Sequence, residues 1–518
     1  MNGPTFSRRQ FLLSSAALGV GSLGLSSLPA FGASAGGTLR IGLNITPNKL
    51  NPMLTRLNSE YMLAEMLYSG LTTLGHDMSA QPDLATAWTS NEDATEWRFT
   101  LRENVVFSNG QKLTSADVVA SFNKLLDPET SAPGRRNLGP ISRVTADGDH
   151  AVVISTETPF GDLPVGLTYP TAKVLPAGLI ESDFAGFDQT PVGSGPFRLA
   201  EFKPDQVAVL EKNPDYFIAG EPYLDSVEVR TFPDAASAAA AMLAGEIDLL
   251  NEIQPTDYQR VADAPGIEGL LTPSGRFLDI VMDNSRPPFN DKRVREALSL
   301  SLDREAIVEL VAEGFGKPGN DSPVNSAYRY HDEAPLKSFD PERARALLAD
   351  AGYPDGLQLE LVASVKPGYR SSLAVVVREM ARASGFDISI KTMDHPTYLD
   401  QVWKKGQFYV GFYNMQPTEG TIFNLLFTSG ASWNETRWNN ESFDALISEA
   451  DRTTDTARRA ELYAEAQRLM REDVPAIVPC FFDLLAAKAE YVEGYEQHPR
   501  GANYALHKVS LADNAPTR

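Results

Sequence analysis

Hydrophobic and polar positions alternate along this chain in two periods, and the period switches repeatedly. Leu39-Arg40-Ile41-Gly42-Leu43-Asn44-Ile45 repeats every second residue and predicts a strand. Met62, Leu63, Met66 and Leu67 share one helical face. Trp97, Phe99 and Leu101 return to period two, and Asn109-Gly110 supplies a turn. Thr114, three residues before Asp117, caps a helix whose apolar side is Val118, Val119, Phe122 and Leu125. A β-rich stretch runs from Val144 to Leu167. The Ala-rich helix Ala235–Leu243 stops at Gly245 and leads into a short strand, Ile247–Leu250.

The second half is more plainly α/β. Phe277–Met282 is an apolar strand, and Val294, Ala297, Leu298 and Leu302 lie on one helix face. Asp340-Pro341 gives a cap and a first-turn proline for a helix that Gly352 ends. Strands at Leu357–Val362, Ile388–Ile390 and Phe408–Phe412 alternate with helices over 371–383 and 398–405. Helices over 442–451 and 456–472 precede the apolar Ile477-Val478. A mixed first half joined to a βαβ second half implies two lobes, each with its own sheet.

Length and charge narrow this picture. The 518 residues exceed what one compact domain holds. A formal charge of −22, with the acids dispersed, makes a surface that repels nucleic acid and anionic membranes. The single cysteine, Cys480, rules out an intramolecular disulfide and reads as a small buried apolar side chain. No metal or other cofactor is expected: the six histidines stand far apart, and neither H-x-x-x-H nor C-x-x-C occurs. No nucleophile elbow, P-loop or dinucleotide fingerprint occurs either, so a secreted hydrolase built on scattered carboxylates is only a remote alternative.

The N-terminus adds a destination. Ser7-Arg8-Arg9-Gln10-Phe11-Leu12 is a twin-arginine export motif, followed by a modest apolar stretch from Leu13 onward. That stretch is too short and too weakly hydrophobic for a membrane span. Ala33-Ser34-Ala35 closes it in the form a signal peptidase accepts, with Ala30-Phe31-Gly32 as second choice, so residues 1–35 are expected to be a cleaved signal peptide. With no cysteine near the cut, lipid anchoring is not expected. The mature chain is expected to be soluble and periplasmic.

Several separated segments carry a family resemblance. They are Trp97–Arg102 with Val106–Gly110 and Leu113–Val119, Pro191–Phe197, Pro222–Asp225, Gly245–Asp248, and Pro288–Leu298 with Ile307-Val308. In this order they resemble family 5 of the solute-binding proteins that serve ABC importers, the peptide/nickel class. The resemblance implies an α/β fold of the periplasmic-binding-protein type (class II, cluster C), with two main lobes closing on a cleft plus an extra family-specific domain. It divides the chain into lobe I (38–66, 188–272 and 487–518), domain II (67–187) and lobe III (273–486). It further implies a monomer that captures a small polar solute and passes it to permease subunits in the inner membrane. A receptor for a membrane sensor would look the same. Gly193, Gly195 and Pro196 are expected to set a tight chain reversal between lobes, and Asp291, Arg293 and Arg295 a solvated, mutually paired helix start.

One departure from the family bears on the ligand. Peptide-binding members have an Asp that pairs the peptide's α-ammonium. In Gly411-Phe412-Tyr413-Asn414-Met415-Gln416-Pro417-Thr418-Glu419, Met415 stands at that place. An ammonium buried without its carboxylate costs several kcal/mol, so a peptide-like solute lacking a free α-amine is expected, or a zwitterionic or cationic one with its charge met by Glu419 or Asp279. Asp279 lies in an otherwise apolar strand. Either backbone or an arginine satisfies it, or it faces the cleft. Arg276 is either solvated or a bidentate fork for a ligand carboxylate. Tyr413, Trp433 and Trp438 either stack on ligand or pack in the core. Asn414 and Gln416 flank Met415, and Asn44 and Tyr61 complete the candidates from their similar placement in the family.

Overall fold

The computed structural model describes residues 36–501 and 505–516; the twin-arginine motif and its cleavage site lie outside them. One 11-stranded sheet organises the chain. Its path runs from Phe386–Met393 through Leu357–Ser364, Phe408–Tyr413 and Ile267–Met282. It continues through Ala476–Ala489, Leu249–Leu250, Thr38–Leu43, Ser226–Thr231 and Val207–Lys212 to Phe197–Lys203. A separate four-stranded antiparallel sheet holds Ala85–Ser90, Glu96–Leu101, Ala151–Thr156 and Ile141–Ala146.

The strands Ile267–Met282 and Ala476–Ala489 tie the two halves of the large sheet together. They pair antiparallel from Ile267 opposite Ala489 to Val281 opposite Ala476, with a register shift between Thr272 and Arg276. Beyond that bulge the first strand obeys period two. Leu278, Ile280 and Met282 enter one core with Val294, Leu298 and Leu361. Before it, the strand belongs with the other core, in which Leu485, Ala487 and Ala489 join Leu39, Ile41 and Val227. Two cores therefore share two continuous strands with an irregular joint between them.

The predicted caps are present. Thr114 and Asp117 form a capping box on the helix Ser115–Leu126, and Asp340 accepts from the backbone N–H of Arg343 at the head of Pro341–Asp350. The β-rich stretch is shorter than its composition suggests. It yields strands to Thr156 and then the helical turn Leu163–Gly166. Conversely, the strand predicted over Phe277–Met282 begins at Ile267.

Two scaffold expectations change. Gly193 and Gly195 both have negative φ, so a tight reversal is not their reason. A Cβ on Gly193 would sit 2.2 Å from the Leu67 carbonyl oxygen, and one on Gly195 2.5 Å from the Leu67 carbonyl carbon. Both glycines are required where this segment crosses the end of the helix Asn58–Leu67. Asp291 and Arg293 cap and pair at the start of their helix as expected, but Arg295 is 4% exposed and points inward. It donates to the carbonyls of Phe289, Asp473 and Val474 and pairs with the Asp473 carboxylate at 2.8 Å. Cys480 is fully buried, as expected.

Gly195→Ala is predicted to cost about 1–3 kcal/mol through overpacking against backbone. Gly178→Ala, where nothing lies within 4 Å of the added carbon, should be neutral. Urea denaturation of the two variants measures the difference.

Candidate functional site

A cavity of about 750 Å³ opens beside the bulged joint, a size suited to a small organic ligand. One wall carries Tyr61, Phe160 and Tyr169; the opposite wall carries Asn414, Met415 and Trp433. Tyr169 and Phe160 pack on the first core, whereas Met415 and Trp433 belong to a third apolar cluster around Phe277, Tyr328 and Phe423. Ser274 and Arg276, from the bulge itself, line the cavity between the walls. A second cavity of about 630 Å³ shares Asn58, Arg276 and Leu484 with the first and carries the acids Glu252, Glu313 and Asp483.

Local chemistry fixes these side chains. Tyr61, on the helix Asn58–Leu67, has its hydroxyl 3.2 Å from that of Tyr169, and the rings meet edge to face. Burial raises the Tyr61 pKa, so the phenol stays neutral. Met415 sits on the joint: its sulfur accepts from the Gly275 N–H at 3.3 Å, and a Cβ on Gly275 would meet Met415 Cγ at 2.7 Å. The adjacent Gln416 N–H donates to the Tyr328 hydroxyl at 3.0 Å. Trp433 is backed by Trp403 and Tyr413, and the Arg136 guanidinium lies over its ring at 5.7 Å. Across the cavity the Arg500 guanidinium lies 5.2 Å above the Tyr169 ring.

Six of the eleven sequence candidates thus meet in one place: Tyr61, Arg276, Asn414, Met415, Gln416 and Trp433. Five do not. Tyr413 is buried behind Trp433, its hydroxyl accepting from Trp403. Trp438 is buried against Phe443 and donates its indole N–H to Asp473, which makes it core. Asn44 follows the first strand and does not line the cavity.

Asp279 stands opposite Gly411, whose missing side chain leaves room for the carboxylate. At 3% exposed it points into a cluster of Arg370, Tyr398, Tyr409 and Glu435. Burial raises its pKa against the opposing pull of Arg370. Glu419, 2% exposed at the head of the helix Glu419–Leu426, accepts from the Tyr330 N–H. Neither acid is on the cavity wall, so neither replaces the charge missing at Met415.

Sequence reasoning passed over four lining residues that change the site's character: Arg56, Arg136, Arg500 and Asp451. Each lies in a loop or at a helix end, and no local pattern marks it as facing a cavity. Asp451 is the single acid on the wall; burial pushes its pKa up to about 6.

Buried carboxyls give a pH signature. Burial holds Glu419 at about 7 and Asp451 at about 6, above the unfolded values near 4. A raised folded pKa contributes stability that is complete below the unfolded value and is lost as pH rises through the folded one. The melting temperature of the mature protein is therefore predicted to fall from pH 5 to pH 8. Glu419→Gln, which keeps an acceptor for Tyr330, should flatten that fall by on the order of 2 kcal/mol. Thermal denaturation of both proteins across this range checks it.

Comparison with known proteins gives this arrangement a context. The profile of the bacterial extracellular solute-binding proteins, family 5 Middle, matches residues 79–435. The oligopeptide-binding protein AppA of Bacillus subtilis is 26% identical over 505 residues, 92% of this chain and 92% of that protein. The glutathione-binding protein GsiB of Salmonella typhi is 26% identical over 486 residues, 91% of this chain and 94% of its own length. Among solved structures, HbpA2 from Haemophilus parasuis superimposes with a TM-score of 0.84 at 24% identity, over 92% of this chain and all of that one. A two-lobed α/β fold, a cavity at the joint and a matching profile over most of the sequence agree: the chain belongs to the bacterial extracellular solute-binding proteins, family 5.

Proposed function

We propose that this protein is the periplasmic substrate-binding component of an ABC importer, holding a small polar solute in the 750 Å³ cavity and handing it to the permease. The observation that carries this is the position of the cavity: its walls come from two cores, and its third side is the irregular joint in the strands those cores share. The two sides already touch, since the Gly161 N–H donates to the Asp451 carbonyl and Asp162 pairs with Arg459, so rotation at Pro273–Gly275 opens and recloses the cavity, a hinge motion that needs no new fold. The lobes meet at this joint in the division into 38–66, 188–272 and 487–518 against 273–486, with 67–187 as the added domain. No helix of the described residues is long and apolar enough to cross a membrane.

The relatives bind an oligopeptide and glutathione, by their names. That range supports a small organic solute here, and Met415 selects within it. Its thioether offers an α-ammonium no counter-charge, the two interior acids stay buried, and Asp451, the one acid on the wall, already accepts from Asn424. Peptides with a free amino terminus are therefore disfavoured.

Thermal denaturation against a solute panel tests the reading. A ligand at 100 times its Kd adds about 2.7 kcal/mol to stability, which is readily seen. Free-amine tripeptides are expected to leave the midpoint unchanged in the native protein and to raise it in Met415→Asp, where a carboxylate meets the ammonium. A native protein stabilised strongly by free tripeptides contradicts the role given to Met415, and one stabilised by no small solute contradicts capture itself.

A further inference from the structure

The whole chain carries 68 acids against 46 lysines and arginines, yet the wall of the main cavity reverses that balance. Arg56, Arg136, Arg276 and Arg500 line it against the single acid Asp451. None of the four arginines forms an ion pair with a described acid. Several buried arginines elsewhere are paired, Arg40 with Asp248, Arg295 with Asp473, Arg304 with Asp321 and Arg459 with Asp162, whereas buried Arg370 lies over the Tyr398 and Phe412 rings without an ion pair. The cavity gathers four guanidinium groups that have no counter-ion among the described residues.

Arg500 is the strongest case. Its Nη1 is shielded from solvent and has no hydrogen-bond partner among the described residues. The ring of Tyr169 covers one face of the guanidinium. Glu65, whose field reaches it, is already held by Lys173 at 2.8 Å. A shielded guanidinium N–H left without an acceptor is costly, and a ligand oxyanion in the cavity removes that cost. Arg276, half-buried on the bulge, presents a second unpaired fork, and only its backbone N–H is engaged, by Ser274. Arg136, laid over Trp433, forms no ion pair with a described acid either. A guanidinium fork matches a carboxylate or phosphate in two parallel hydrogen bonds.

We propose that the solute is an oligo-anion, a small molecule with at least two oxyanion groups, which Arg276 and Arg500 hold at the joint while Arg56 and Arg136 complete the charge at the rim. This deepens the solute-capture reading and rests on it. It reverses the sign expected had Asp279 or Glu419 faced the cavity. Arg276 also borders the neighbouring cavity with its acids Glu252, Glu313 and Asp483, so the anion preference is assigned to the side it shares with Arg56, Arg136 and Arg500.

Isothermal titration of the mature protein tests this with glutarate and citrate as carboxylate probes, pyrophosphate and fructose 1,6-bisphosphate as phosphate probes, and spermidine and uncharged trialanine amide derivatives as controls. At least one anion class should bind, and tighter binding by one class identifies the oxyanion. Arg276→Gln and Arg500→Gln should each weaken that binding at least tenfold, and Asp451→Asn should tighten it several-fold at pH 8. Arg276 is half-buried and unpaired, so its variant stays informative if Arg500→Gln folds poorly. Anion binding unchanged in Arg276→Gln, or uncharged solutes binding where anions do not, overturns the inference while leaving solute capture intact. No binding of any small solute overturns both.

Discussion

The pairing of Ile267–Met282 with Ala476–Ala489 is the constraint on which the rest of this structure depends. Strands of 16 and 14 residues are long enough to serve one core at one end and another core at the other. Backbone hydrogen bonds make the connection stiff along most of its length, and of its two register shifts, at Thr272/Arg276 and Leu278/Ile280, the wider one at Pro273–Gly275 falls between the cores. A bulge re-aims the side chains around it, and here it delivers Ser274 and Arg276 to the cavity. Gly275, between them, gives Met415 room to lie against the backbone. Met415, proposed to deny an ammonium its partner, is thus also a packing element of the joint.

Charge is arranged around that joint with the same economy. Acids that might have met a cation are turned into the interior: Asp279 into the space that Gly411 vacates, Glu419 onto the Tyr330 N–H, Glu435 onto Trp403 and Tyr409. Burial raises all three, so each is easier to protonate than an exposed carboxyl. The arginines remain outward, toward the cavity. An excess of acid over the whole surface and an excess of base on one wall coexist because the first sets solubility and the second sets what the wall attracts.

Local signals in the sequence were sufficient for elements whose ends are chemically marked. Thr114 with Asp117, and Asp340 with Pro341, announce helices that form where they say. The first half of the long strand carries no such mark: Ile267–Thr272 alternates weakly, Pro273 and Gly275 interrupt it, and its partner Ala489 lies far along the chain. Cavity-lining candidates were legible where the family comparison covered them, as at Asn414, Met415 and Gln416. They were not legible where tertiary packing alone decides. Asp279 was read from its apolar neighbours, but which face it takes depends on Gly411 across the strand. Arg500 has no sequence neighbour that announces it, since its surroundings are Tyr61 and Tyr169.

The central claim is that the lobes close on a solute by bending at the bulged joint. Small-angle X-ray scattering of the mature protein, with and without a solute shown to bind, tests it most directly. The account predicts a smaller radius of gyration at saturation, reversed when the solute is dialysed away. An unchanged radius with the cavity saturated would contradict it, because the two cores would then be fixed and the joint would not be a hinge.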